Sequence, residues 1–164
     1  MKAISEMFCL FCLTALITLG GCGGGGGSSE PTKATVKLST QGTLPQGTQL
    51  SGIAVTILLP AGVTVDTTGG AVTAGVVTVS GVAAQGGASV LGPQSYTPAS
   101  GTTRGTLEFT IAANNFGTGE FATVNFNLGP GSSAPSAPDV TILPADQALR
   151  PVSALSVALA VELK

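Results

Sequence analysis

The chain has 164 residues, 43% of them hydrophobic and only 9% charged, with a formal net charge of −2 and no histidine. Soluble domains usually carry about a quarter charged residues. Without histidine there is no Ser-His triad, no Cys-His dyad and no imidazole-held metal. A slight negative charge offers phosphates no field, so nucleic acid is not an expected partner. The length suits one folded domain.

Met1–Cys22 reads MKAISEMFCLFCLTALITLGGC. Lys2 supplies a positive start, and Met7 to Leu19 is a largely apolar run, shorter than the ~20 residues that span a bilayer. It ends in Leu19-Gly20-Gly21-Cys22, which resembles the bacterial lipobox: an aliphatic residue, two small residues that fit a peptidase cleft, and a thiol to carry diacylglycerol. The segments expected are a lipoprotein signal peptide over 1–21, lipidated Cys22 with a Gly/Ser-rich tether over 22–33, and a β-sandwich domain over 34–164. Gly23, not Asp, follows the cysteine, which favours the outer membrane of a bacterial envelope. Cys9 and Cys12 leave with the signal peptide and acylation consumes Cys22, so no disulfide or thiolate metal site is expected. Gly23–Gly27 with Ser28 and Ser29 is a spacer; no phosphate-loop motif occurs.

From Ala34 onward the apolar residues recur with period two. Ala34, Val36 and Leu38 form the first run, Ile53, Val55, Ile57 and Leu59 the second, and Leu107, Phe109 and Ile111 the third. Ala122, Val124, Phe126 and Leu128 follow, and Leu155 to Leu163 closes the series. Val63–Val65, Val76–Val79 and Val140–Leu143 are weaker strands. Gly and Pro clusters such as Pro60-Ala61-Gly62 and Gly129-Pro130-Gly131 mark turns. The fold predicted is all-β, an antiparallel jelly-roll or Ig-like β-sandwich of about eight or nine strands. Gly69–Gly92 is expected to hold one weak strand and a long loop, and Ala145–Leu149 at most one helical turn. Leu155–Leu163 is expected to pair within a sheet.

Val36–Gly42, Gly52–Val65 with its LLPAGVTV, Leu107–Ala112 and Gly119–Phe126 follow one another in an order that resembles a cohesin-type domain, over roughly residues 34–164. The resemblance implies a nine-stranded jelly-roll sandwich related to carbohydrate-binding modules. It also implies a role in holding dockerin-like protein partners at a cell surface. The family's partner-facing sheet would include Ile53–Leu59 and Thr106–Ile111 here, with Thr56, Leu58, Thr106, Glu108 and Thr110 facing outward.

Two carboxylates across a cleft would be needed for glycoside hydrolysis, and no pair is indicated. Glu108 is expected to form a surface ion pair with Arg104 instead. Calcium at Asp66, Asp139 or Asp146 has no motif behind it, and no metal or cofactor is expected. Sugar binding would need exposed aromatics. Phe109 and Phe126 read as core, which leaves Tyr96, Phe116 and Phe121, with Tyr96 the candidate stacking residue. Its ring can equally pack over the sandwich edge. The expected function is that of a non-catalytic domain, anchored to the membrane through Cys22, that binds a protein partner in a scaffold or adhesion role. The alternatives are a carbohydrate-binding module that takes polysaccharide, or a structural envelope lipoprotein.

Overall fold

Successive side chains of a strand point to opposite faces, so a Val-x-Leu-x run buries its apolar half only against a second layer. The computed structural model, which describes residues 30–164, has that architecture: an antiparallel β-sandwich. The signal sequence, the lipobox with Cys22 and most of the tether lie outside the described residues.

The strands are β1 (Lys33–Gln41), β2 (Leu50–Leu59), β3 (Val63–Thr64), β4 (Thr67–Thr68), β5 (Ala71–Val72), β6 (Val77–Val79), β7 (Ser89–Thr97), β8 (Gly105–Phe116), β9 (Glu120–Leu128), β10 (Val140–Asp146) and β11 (Ser156–Leu163). Eleven strands therefore replace the expected eight or nine. The excess comes from short pieces: β4 and β5 form a two-stranded hairpin of their own. One sheet runs β11-β1-β9-β3, with β6 also paired to β9, and the other runs β10-β2-β8-β7.

The core lies between these sheets. Val36, Leu38, Ile53, Ile57, Leu107, Ile111 and Val124 are fully buried, each at the inward position of its strand. The long strands carry Thr, Val and Ile, whose branched side chains suit a pleated, half-buried surface.

Two expectations are corrected and two are made more exact. Gly69–Gly92 holds β5, β6, the start of β7 and a five-residue helix, α1 (Gly81–Gln85), which buries Ala83. A Cβ on Gly81 (φ 54°) would collide with the Glu120 carbonyl, so a glycine lets α1 sit down on β9. Ala145–Leu149 is not helical: Ala145 and Asp146 finish β10, and a turn with Leu149 at φ 59° follows. Phe121 and Phe116 are buried, not exposed. At Phe121 the β1–β9 register shifts, Leu38 opposing Ala122 and Ser39 opposing Glu120. The extra residue of a bulge is re-aimed, and here it turns a nominally outward phenylalanine into the core. Phe116 follows a second shift, where Leu50 opposes Phe116 but Gly52 opposes Ala112. Lastly, Leu155–Leu163 pairs within a sheet as expected, as β11 beside β1, and among the described residues it is the sheet's edge strand.

Candidate functional site: the outer face of the four-stranded sheet

β2 and β8 are the central neighbours of the β10-β2-β8-β7 sheet. Their register sets Leu58 opposite Thr106, Thr56 opposite Glu108 and Ala54 opposite Thr110. Because Ile53, Val55, Ile57, Leu107, Phe109 and Ile111 point into the core, Thr56, Leu58, Thr106, Glu108 and Thr110 share the opposite face. All five of these positions are therefore brought onto one surface.

The flanking strands extend it. Leu143 of β10 lies beside Ala54, and Leu91 of β7 beside Thr110, giving a row Leu143–Ala54–Thr110–Leu91. The next row is Thr141–Thr56–Glu108–Ser95. Leu58, Leu91 and Leu143 are 41%, 52% and 67% exposed. The three leucines lie on one sheet face but apart, with Ala54, Thr56 and Thr110 between them, so the face is a mixed one on which exposed aliphatic side chains alternate with short polar ones. The sequence reading found only Leu58. Leu143 was visible in the alternation of Val140 and Ile142 with Thr141 and Leu143. Leu91 was not, because β7 carries Gly92 and Pro93 and slips register between Leu91 and Ser95.

Glu108 stands between these leucines, in a shallow depression of about 350 Å³ that Thr56, Leu91, Ser95 and Thr110 also line. Its expected ion pair with Arg104 is absent. Arg104 reaches instead to the Asp139 carboxylate at 2.7 Å and donates to the carbonyls of Leu58 (2.7 Å) and Leu59 (3.1 Å). Arg104 precedes β8, where the chain still bends around the end of the sheet, so its long side chain closes the β2 terminus onto β10. Among the described residues, Glu108 has no side-chain hydrogen bond or ion pair, and Thr56, Thr106 and Thr110 have no side-chain hydrogen bond.

The remaining candidates have other roles. Asp66 accepts from the Asn127 amide at 2.7 Å. Burial pushes the Asp139 carboxyl up, but the Ser136 N–H and hydroxyl and the Arg104 guanidinium outweigh it and hold the group below the usual carboxylate range. Asp146 is likewise held low, first by the Arg150 N–H and then by its guanidinium and the Ala148 N–H. These three carboxylates are each engaged by protein donors in separate places. No group of three or more His, Cys, Asp or Glu that could hold a metal occurs among the described residues. Tyr96 sits opposite Leu107 on the inward side of β7, half-buried against the core, and burial raises its pKa. No helix among the described residues is long and apolar enough to cross a membrane.

No family model, curated protein or solved structure matches this chain.

Proposed function

We propose that residues 34–164 are a non-catalytic binding domain of a lipid-anchored envelope protein, and that the outer β10-β2-β8-β7 face takes a protein partner. The observation that carries this reading is that Leu58, Leu91 and Leu143 are exposed on the same sheet face as Glu108, whose carboxylate has no side-chain partner among the described residues. Aliphatic side chains supply contact area, and a carboxylate without an internal partner supplies specificity for a basic group. The resemblance to cohesin-type domains points to the same two strands. Anchoring rests on the lipobox-like Leu19–Cys22, and Cys22→Ala is expected to abolish lipid labelling.

The face is tested by capture from envelope and secreted fractions, with wild type, Leu58→Asp and Glu108→Lys as baits. Both positions are exposed, so folding is expected to survive. Loss of one specific protein with either variant supports the reading, whereas equal capture by all three removes this face from consideration. The carbohydrate alternative predicts that soluble polysaccharide binds wild type, but Tyr96, packed on the inward side of β7, does not serve it as an exposed stacking platform.

A further inference from the structure

Exposed strand edges offer unpaired N–H and C=O groups, and proteins usually blunt them with short strands, proline, bulges or charge. Among the described residues, three of the four edges of the two main sheets are blunted. β10 contains Pro144, β7 contains Pro93 and a register slip, and the last edge is divided between two-residue β3 and three-residue β6. β11 is different. It runs eight residues in unbroken register with β1, has no proline, and bears one charge, Glu162.

Its free side can be derived from the ladder. Lys33 and Lys164 exchange both backbone hydrogen bonds, at 3.0 and 2.9 Å. Bonded and non-bonded pairs alternate in an antiparallel ladder. Thr35–Glu162, Lys37–Ala160 and Ser39–Ala158 are therefore bonded pairs, and Val157, Leu159, Val161 and Leu163 aim their N–H and C=O away from β1. The side chains of Leu159, Val161 and Leu163 line an open groove of about 490 Å³ with Leu128, Ala134 and Pro31. Val161 is 46% and Leu163 55% exposed.

We propose that the occupant of this edge is β11 of a second copy of this chain, joined across a two-fold axis at Leu159. Leu155–Leu163 reads LSVALAVEL, which is the same in both directions except at Ser156 and Glu162. A two-fold closes an isologous interface by matching a surface with itself. Antiparallel pairing centred on Leu159 sets Val157 against Val161 and Leu155 against Leu163 of the other copy. Val157, Leu159, Val161 and Leu163 are the residues whose backbone groups point outward, so hydrogen-bonding register and side-chain pattern agree over β11. The charges fit as well. The lone carboxylate, Glu162, falls opposite the Ser156 hydroxyl of the second copy, while the two Glu162 stand about 20 Å apart at ~3.3 Å per residue. A strip about 27 Å long and ~10 Å deep covers roughly 270 Å² on each copy, below the ~800 Å² of a standard interface. The dimer is thus a weak, reversible one.

The test uses the full chain. Sedimentation from about 1 µM to about 1 mM, the span of weak association, is expected to show a monomer–dimer equilibrium. Val161→Pro removes an outward N–H and leaves the β1 ladder its donors, so it is expected to stay folded and dissociate at least about tenfold more readily. The register is read by cross-linking. Ala158 opposes Ala160 of the second copy, so a mixture of Ala158→Cys and Ala160→Cys is expected to form a heterodisulfide more readily than either variant alone. That readout decides the matter if Val161→Pro fails to fold. A wild type monomeric throughout, a Val161→Pro dimer as tight as wild type, equal cross-linking by each variant alone, or oligomers beyond two would each overturn the proposal.

Discussion

On the β11-β1-β9 sheet, the Thr35 hydroxyl donates to the Asn125 side chain, whose amide donates to the Gly75 carbonyl. Asn127 reaches Asp66, Thr123 reaches Ser80, and Lys37 stands 3.8 Å from Glu120. On the β10-β2-β8-β7 sheet, Thr56, Thr106, Thr110 and Glu108 occupy equivalent outward positions, and their side chains make no hydrogen bond or ion pair among the described residues. Both faces are made of short polar residues. They differ in part because the excursion that brings β6 alongside β9 also places Asp66, Gly75 and Ser80 within reach of Asn127, Asn125 and Thr123. A polar outward residue is thus a folding residue where a loop covers it and an available contact where none does.

The largest expected effect breaks the platform beneath both faces. Phe121 is fully buried at the β9 bulge and Phe126 nearly so. Truncating a buried Phe costs about 3–5 kcal/mol, against a total of roughly 5–15 kcal/mol for such a domain. Phe121→Ala and Phe126→Ala should each shift the urea midpoint far downward; a midpoint unchanged at Phe121 would falsify the inward bulge. A smaller effect sharpens the comparison directly. Asn125→Ala, which deletes two hydrogen bonds, should lose about 1 kcal/mol, whereas Thr110→Ala should stay within about 0.5 kcal/mol of wild type. Equal losses on the two faces would erase the distinction.

The smallest effect is acid sensitivity at the ends of β10. Asp139 and Asp146 both have carboxyls held below the ordinary value. A carboxyl depressed in the folded state contributes stability above its unfolded pKa, near 3.9, and loses it as pH falls through the folded value. Stability should therefore decline below about pH 4. Asp139→Asn should flatten that decline, as read from thermal melts across the range. A variant with the wild-type slope would remove Asp139 from the effect.

The long alternating runs that became β1, β2, β8, β9 and β11 were legible because their period is regular and one face is buried. Alternation also marked Thr56, Leu58, Thr106, Glu108 and Thr110 as outward, but that the two runs share a sheet was given only by the cohesin-type resemblance, and the pairing itself fixes which positions lie together. What escaped was whatever breaks the period. Phe121 and Phe116 follow register shifts that alternation cannot register. β7 is interrupted by Gly92 and Pro93, and α1 is too short for a helical pattern to emerge. Arg104 chose Asp139 over Glu108 through a contact 35 residues away in the chain, beyond any local spacing argument.

β1 is the first strand among the described residues, yet its neighbours are β9 and β11, which leave a ribosome or a translocation channel long after it. Until Glu120–Leu128 has emerged, Val36 and Leu38 have nothing to pair with. Native assembly of that sheet must therefore wait until β9 and β11 have followed, and non-local closure of this kind is slow. In the interval the apolar strands are exposed and prone to aggregate. A holding chaperone that binds extended, weakly charged segments would shorten that hazard without altering the final structure.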